Sequence, residues 1–456
     1  MSDIIGELAR FTLNTKYEDL PDPIVHTTKY LLLDSIGCAL AAITTDPGKM
    51  FISLVKTMGG TPECSVLGTG DKTSVTNAVL ANGQLVNTLD FDTVMPGGHA
   101  PPYIVPTELA MAERMDASGK DLILASALAF EVAANISKAT PMGMQFVGKE
   151  RRFKYATREG YAKTNFGAAA GAGRLAGLNE KQMVDALSLA GHLSQVLTWT
   201  RGNYSIHRNL TKYGFPGWQN TGAIIAVLLA QMGMMGDTDL LDDVAHGFWE
   251  FCGYDGWEPE KITQDLGKTW SFADVRFKPY ACCTMLHRCI DCLYKLIQDH
   301  NLHPEEMESI TAYASPTVES LLFTSREMNN IVDLQFGLPY VFAMVAYGEK
   351  TGVDWQDWNK LTDPKIKKFA DRVTLKGNPK FGENQLSIVE VKARGQVFRQ
   401  EMASFTTRLP DPELVAKFRH NAARVLTQEK IDKAVNIFLT LEQTPKVSEL
   451  ISSLTL

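Results

Sequence analysis

Residues Gly167 to Leu178 read GAAAGAGRLAGL, a run of alanine and glycine in which Arg174, Leu175 and Leu178 are the exceptions. Side chains this small let helix axes approach closely, so the run predicts a helix held between neighbours in a bundle. Thr221 to Met235 repeats the theme further on. Upstream, Asp22-Pro23 offers an N-cap followed by proline at the first helical position, and it predicts a helix over Ile24 to Ala42. From the start to about residue 265 the pattern stays helical, with Ala-rich apolar runs and few alternating β-branched segments.

After about residue 270 the texture changes. Short alternating segments appear at Ser309 to Ala314, Arg372 to Lys376, Leu386 to Ala393 and Val397 to Ala403, and Arg394-Gly395-Gln396 would turn the last two into a hairpin. Helical stretches lie between them, at Leu286 to Asp299 and Leu334 to Tyr347, as in an α+β unit. From Asp411 onward the helical pattern returns. A chain of 456 residues and 50.4 kDa is long enough for two domains. The expected fold is therefore mainly α: a large all-helical domain of residues 1–267 and 406–456, and a smaller α+β lid domain of residues 268–405.

Composition narrows the partners. With 45% hydrophobic and 21% charged residues the chain can bury a large core. Its 45 Lys and Arg against 52 Asp and Glu lack the basic excess that phosphate neutralisation requires, so a small molecule rather than nucleic acid is expected. The most apolar stretches, Leu31 to Ile43, Leu122 to Ile136 and Ala223 to Met235, are each under about 18 residues, too short to span a bilayer. Met1-Ser2-Asp3-Ile4-Ile5-Gly6-Glu7 shows no export signal, so a cytoplasmic enzyme is expected. Seven cysteines at irregular spacing give no disulfide framework.

Three segments could carry chemistry. Asn87 to Glu113 puts Asp90 and Asp92 ahead of a Pro/Gly loop that holds His99, and loops on a rigid scaffold are where reactive groups tend to sit. Arg201, His207, Arg208 and Lys212 gather cations in a stretch interrupted by glycine and proline, a candidate pocket for carboxylates. Lys278 to Cys292 (KPYACCTMLHRCIDC) is the densest Cys/His group, but adjacent Cys282-Cys283 fits a zinc site poorly, so no metal is expected. His287, opening a helix at a domain junction, is well placed to face a cleft. No Gly-rich phosphate loop is present, so no cofactor is expected either.

These segments, with LLLDSIGCALAA (Leu31 to Ala42) and DLQFGLPYVFA (Asp333 to Ala343), resemble the MmgE/PrpD family, whose members include 2-methylcitrate dehydratase, cis-aconitate decarboxylase and iminodisuccinate epimerase. The resemblance covers nearly the whole chain. It implies a cofactor-free homodimeric enzyme with its site in the cleft between a helical and a lid domain. It places the family's site aspartate on Asp90, loop histidine on His99, lysine on Lys212, lid histidine on His287 and tyrosine on Tyr340. Beside these, the cations Arg201, His207, Arg208, Lys163 and Lys278 are candidates for binding the substrate. Three positions depart from the family. Its DFDDT continues here as Thr93-Val94, its GFHPT is Gly160-Tyr161-Ala162-Lys163-Thr164, and the histidine of its KxLHxG is Phe215. The implied reaction is proton abstraction next to a carboxylate of a small polycarboxylic acid, of the dehydratase type of lyase. Two-base epimerisation and decarboxylation of the cis-aconitate type are the alternatives.

Overall fold

The computed structural model describes residues 3–95, 98–140, 144–147, 152–155, 161–194, 209–212, 214–378, 386–403 and 409–456. Nine long helices carry the described part of the first half: α1 (Ile4–Asn14), α2 (Asp22–Ala42), α3 (Asp46–Met58), α4 (Val75–Asn87), α5 (Pro101–Arg114), α6 (Gly119–Lys138), α7 (Thr164–Leu175), α8 (Glu180–His192) and α9 (Pro216–Gln231). In α2 every residue from Tyr30 to Ala42 is buried, the pattern of a helix enclosed on all sides. Its start differs from expectation. Pro21 takes the cap position and Asp22 is the first helical residue, where its charge faces the positive end of the helix dipole. Helix α6 opens on a reciprocal cap, Ser118 Oγ accepting from Asp121 N and Asp121 Oδ2 from Ser118 N, both at 3.2 Å.

The small-residue run does what its composition dictates. Helix α7 packs along α6 so closely that a Cβ added to Gly167 would stand 2.2 Å from the Ala129 carbonyl oxygen. Gly167→Ala is therefore expected to push these helices apart at a cost of about 1–3 kcal/mol, the scale of overpacking a core. A denaturant melt with an unchanged midpoint would show that the crossing is looser than this.

The expectation of an all-helical first half is corrected by two small antiparallel pairs, Cys64–Ser65 with Lys72–Thr73 and Met144–Val147 with Arg152–Tyr155. Strands of two to four residues are too short to show a period in the sequence.

The second half carries α10 (His287–His300), α11 (Leu338–Ala346), α12 (Pro364–Ala370) and a four-stranded sheet. Its strands are β1 (Met307–Ala314), β2 (Val373–Gly377), β3 (Ser387–Ala393) and β4 (Gln396–Met402), in the order β2-β1-β3-β4. Strands β1 and β2 are parallel; the other pairings are antiparallel. Ala393 pairs with Gln396, so Arg394 and Gly395 form a two-residue turn, with φ of 54° and 73°. Positive φ at both positions matches the type I′ geometry that fits the twist of a hairpin. Three helices close the chain, α13 (Asp411–Ala422), α14 (Gln428–Leu439) and α15 (Val447–Ser453), and α13 packs along α2. One cluster of buried apolar side chains draws on residues 4–281 and 414–454; a second draws on residues 282–393 together with Tyr103 and Tyr161. Among the described residues no single helix is long and apolar enough to cross a membrane.

Candidate active site

Helix α4 ends at Asn87, and the chain then turns sharply through Asp90, whose φ is +53°. Aspartate is among the few residues that tolerate this left-handed conformation. Lys212, at φ +51°, has no such excuse, and backbone strain of this kind gathers at functional sites. The two strained residues meet. Lys212 Nζ lies 2.8 Å from Asp90 Oδ1, while Lys278 Nζ lies 2.9 Å from Asp90 Oδ2; all three side chains are buried.

The turn is held through its main chain as well. Five consecutive carbonyls each accept from a side chain remote in sequence. Lys212 Nζ donates to Asn87 O at 2.8 Å, Gln335 Nε2 to Thr88 O at 2.7 Å and Gln356 Nε2 to Leu89 O at 2.7 Å. Lys278 Nζ donates to Asp90 O at 2.8 Å and Lys417 Nζ to Phe91 O at 2.8 Å. A turn that leaves its carbonyls outside any helix or strand must satisfy them by other means when buried, and these donors do so.

His99 completes the group. Its Nδ1 is 2.7 Å from Asp92 Oδ2 and its Nε2 is 4.0 Å from Asp90 Oδ1. With a carboxylate as acceptor Nδ1 carries the hydrogen, which leaves Nε2 turned toward Asp90. The Tyr161 ring stands edge-on to the imidazole at 6.2 Å. Gly98, at φ +107°, is needed here, because a Cβ would come within 2.5 Å of that ring.

Charge sets the protonation states. Burial would raise the Asp90 carboxyl, but Lys212, Lys278 and His99 outweigh it and hold it well below the usual carboxylate range. Burial pushes the Lys212 ammonium below its ordinary value, with Lys278 adding repulsion and Asp90 and Asp92 opposing. For Lys278 burial acts the same way, yet Asp90 and Asp92 prevail and its value is raised. The two buried ammonium groups are thus shifted in opposite directions. Asp90, Asp92 and His99 offer ligand atoms within 4.8 Å of one another, a spacing that could hold a metal ion. Both Asp90 oxygens, however, already face ammonium groups, and a divalent cation would meet two positive charges there.

The other sequence-derived candidates fall in several places. His287 is buried with Nε2 3.1 Å from the Cys282 carbonyl, and burial together with the Lys278 charge pushes it down to about 3, so it is neutral at ordinary pH. Lys163 is buried at the head of α7. Lys278, read from sequence as a cation for substrate, is bonded to Asp90 at both side chain and main chain. Tyr340 is not gathered into the cluster. It lies in the first turn of α11, an apolar helix buried along its whole length, and that helix directs the ring into the second core, where the hydroxyl donates to the Arg326 carbonyl at 3.1 Å. It lines a cavity of about 350 Å³ with Arg326, Trp358 and Lys367. Arg201, His207 and Arg208 lie outside the described residues.

Sequence reasoning missed Gln335, Gln356, Lys417 and Asp34. For Asp34 a signal existed, since a charge in the middle of LLLDSIGCALAA demands a buried partner. It also missed Asn87, whose buried side-chain amide has no hydrogen-bond partner among the described residues on either atom, as is true of Asp92 Oδ1.

Models of the MmgE/PrpD N-terminal domain and the MmgE/PrpD C-terminal domain match residues 6–260 and 280–443. The chain is similar to cis-aconitate decarboxylase of Aspergillus terreus, 22% identical over 491 aligned positions that cover 99% of this chain and 96% of the relative. It is 24% identical to cis-aconitate decarboxylase of Homo sapiens, over 95% of this chain and 91% of the relative, and 22% identical to that of Mus musculus, over 95% and 90%.

Proposed function

Because the chain belongs to the MmgE/PrpD family, we propose that it is a lyase acting on a small polycarboxylic acid, moving a proton at the carbon beside a carboxylate with its own side chains. The observation that carries this reading is the convergence of two proton carriers, Lys212 and His99, on the buried Asp90 carboxylate.

A hydrogen next to a carboxylate is weakly acidic, so a base must be positioned against it and the electron pair it leaves must be met by fixed positive charge. In a dehydration the base removes that proton and the pair enters the carboxylate as an enediolate. The pair then returns to form the alkene as the β-hydroxyl departs with a proton from the acid. Lys212, its ammonium weakened by burial, is the proposed base. His99, held by Asp92, is the proposed acid, and Asp90 orients both. Lys163, Arg201, His207 and Arg208 are the proposed contacts for the substrate's carboxylates. Lys278 neutralises Asp90 and lends its charge to the site.

A second reading, decarboxylation, is favoured by what the relatives are. There the carbon–carbon bond supplies the electron pair as carbon dioxide leaves, and the acid protonates the carbon that receives it. The same residues serve, with Lys212 or His99 as the proton donor.

Incubation in deuterated water with hydroxy di- and tricarboxylates and cis-aconitate tests both. Alkene absorbance from a hydroxy acid supports dehydration, and carbon dioxide with deuterium in the product supports decarboxylation. Deuterium in a stereo-inverted product without alkene would replace the lyase by an epimerase. No turnover or exchange with any acid would overturn the proposal.

A further inference from the structure

Behind the Asp90 turn lies a second buried ion pair that the proposed chemistry does not use. Lys417, on the C-terminal helix α13, sits 2.7 Å from Asp34 Oδ1 on α2, and the two side chains are 7% and 0% exposed. The same ammonium donates to Phe91 O at 2.8 Å and to Lys278 O at 3.0 Å, and it lies 3.7 Å over the Phe91 ring. Asp34 Oδ2 in turn accepts from Thr93 Oγ1 at 2.8 Å. Asp90 and Lys278 are therefore joined twice, through their own side chains and through a lysine that ties the residue after Asp90 to the main chain of Lys278. Asp34 extends the brace to the residue after Asp92, the carboxylate that holds His99.

Stability alone is a poor reason for this arrangement, because an apolar pair of similar volume commonly serves a core as well as a buried ion pair does. An apolar pair could not donate to two carbonyls on separate chain segments of the site. We propose that Lys417 and Asp34 are positioning residues that fix the mutual placement of Asp90, Lys278 and the Asp92–His99 pair without touching substrate. This inference rests on the proton-transfer reading above.

The test uses the full-length protein and the variant K417M/D34N, which removes both charges together and so leaves neither one buried alone. Positioning predicts a folded protein whose kcat falls about a hundredfold, the scale of a misplacement near 1 Å in a reacting group, with KM unchanged and the pH optimum displaced. A folded double variant with wild-type kcat and pH profile would overturn the inference and leave the pair a packing element. Should the double variant not fold, K417R carries the same test, since it keeps the charge but sends its donors elsewhere: lowered kcat at unchanged KM supports the inference, and wild-type kcat overturns it. If wild-type protein turns over no polycarboxylate, the functional reading is what fails. The brace is then read by NMR titration of the His99 ring, which moves in the variant if Lys417 and Asp34 set its surroundings and stays put if they do not.

Discussion

Lys212→Ala is expected to lower turnover by about a hundredfold or more, the scale of losing a positioned acid or base. The loss falls on kcat rather than on KM, because the ammonium faces Asp90 and Asn87 in the protein's own interior. The pH profile gives a second check. Lys212 is held below its ordinary value, first by burial and then by Lys278. A base acts deprotonated, so the rate climbs with pH and levels off below the usual lysine range. That limb disappears in the variant. A variant with near-normal rate and an unchanged limb would remove Lys212 from the mechanism.

Asp90→Asn has the other large effect, on stability and activity together. It leaves Lys212 and Lys278 buried side by side with their shared countercharge gone, and breaking a buried pair in this way costs about 3–5 kcal/mol. That is a large part of the roughly 5–15 kcal/mol that holds a domain folded. The sign with pH follows from linkage. The Asp90 carboxyl is depressed in the folded protein, so its contribution is complete above the unfolded value of about 3.9 and is lost as pH falls through the lower folded value. Lys278 is raised, so its contribution is complete below the unfolded value near 10.4 and is lost as pH rises through the folded one. Lys212, lowered in the folded protein, acts in the opposite sense at the alkaline end, so the comparison is read in acid: denaturant melts should show wild type losing stability as pH falls through the folded Asp90 value, a loss that D90N lacks. Equal stabilities at neutral pH would mean that the lysines do not depend on Asp90.

What the sequence revealed depended on how local each feature is. The hairpin of β3 and β4 was legible because its strands alternate and its turn is written in two adjacent residues, Arg394 and Gly395. Helix α7 was legible from its small side chains. Asp90, His99 and Lys212 stood out because charged residues in segments broken by glycine and proline have few other uses. Lys417 did not stand out, since one lysine on an amphipathic helix reads as surface until its partner on α2 is known. Gln335 and Gln356 were silent for the same reason, their role being defined by carbonyls more than two hundred residues away. Tyr340 shows the converse, a position named by resemblance whose ring the packing of α11 turns toward Arg326.

The five captured carbonyls of residues 87–91 also dictate when this segment can mature. Their donors stand 125, 247, 267, 188 and 326 residues further along the chain. As the chain leaves the ribosome, α4 can form early from local contacts, but the turn that follows it has none of these donors until Lys212 is made and lacks the full set until Lys417. Closing contacts so distant in sequence is slow, and the unmet groups stay exposed to wrong pairings meanwhile. The last donor, Lys417, is made after every proposed reacting group, so the fifth carbonyl is met only once α13 exists. A nascent chain stalled before α13 would carry every proposed reacting group and still lack the lysine that joins Phe91 to Lys278.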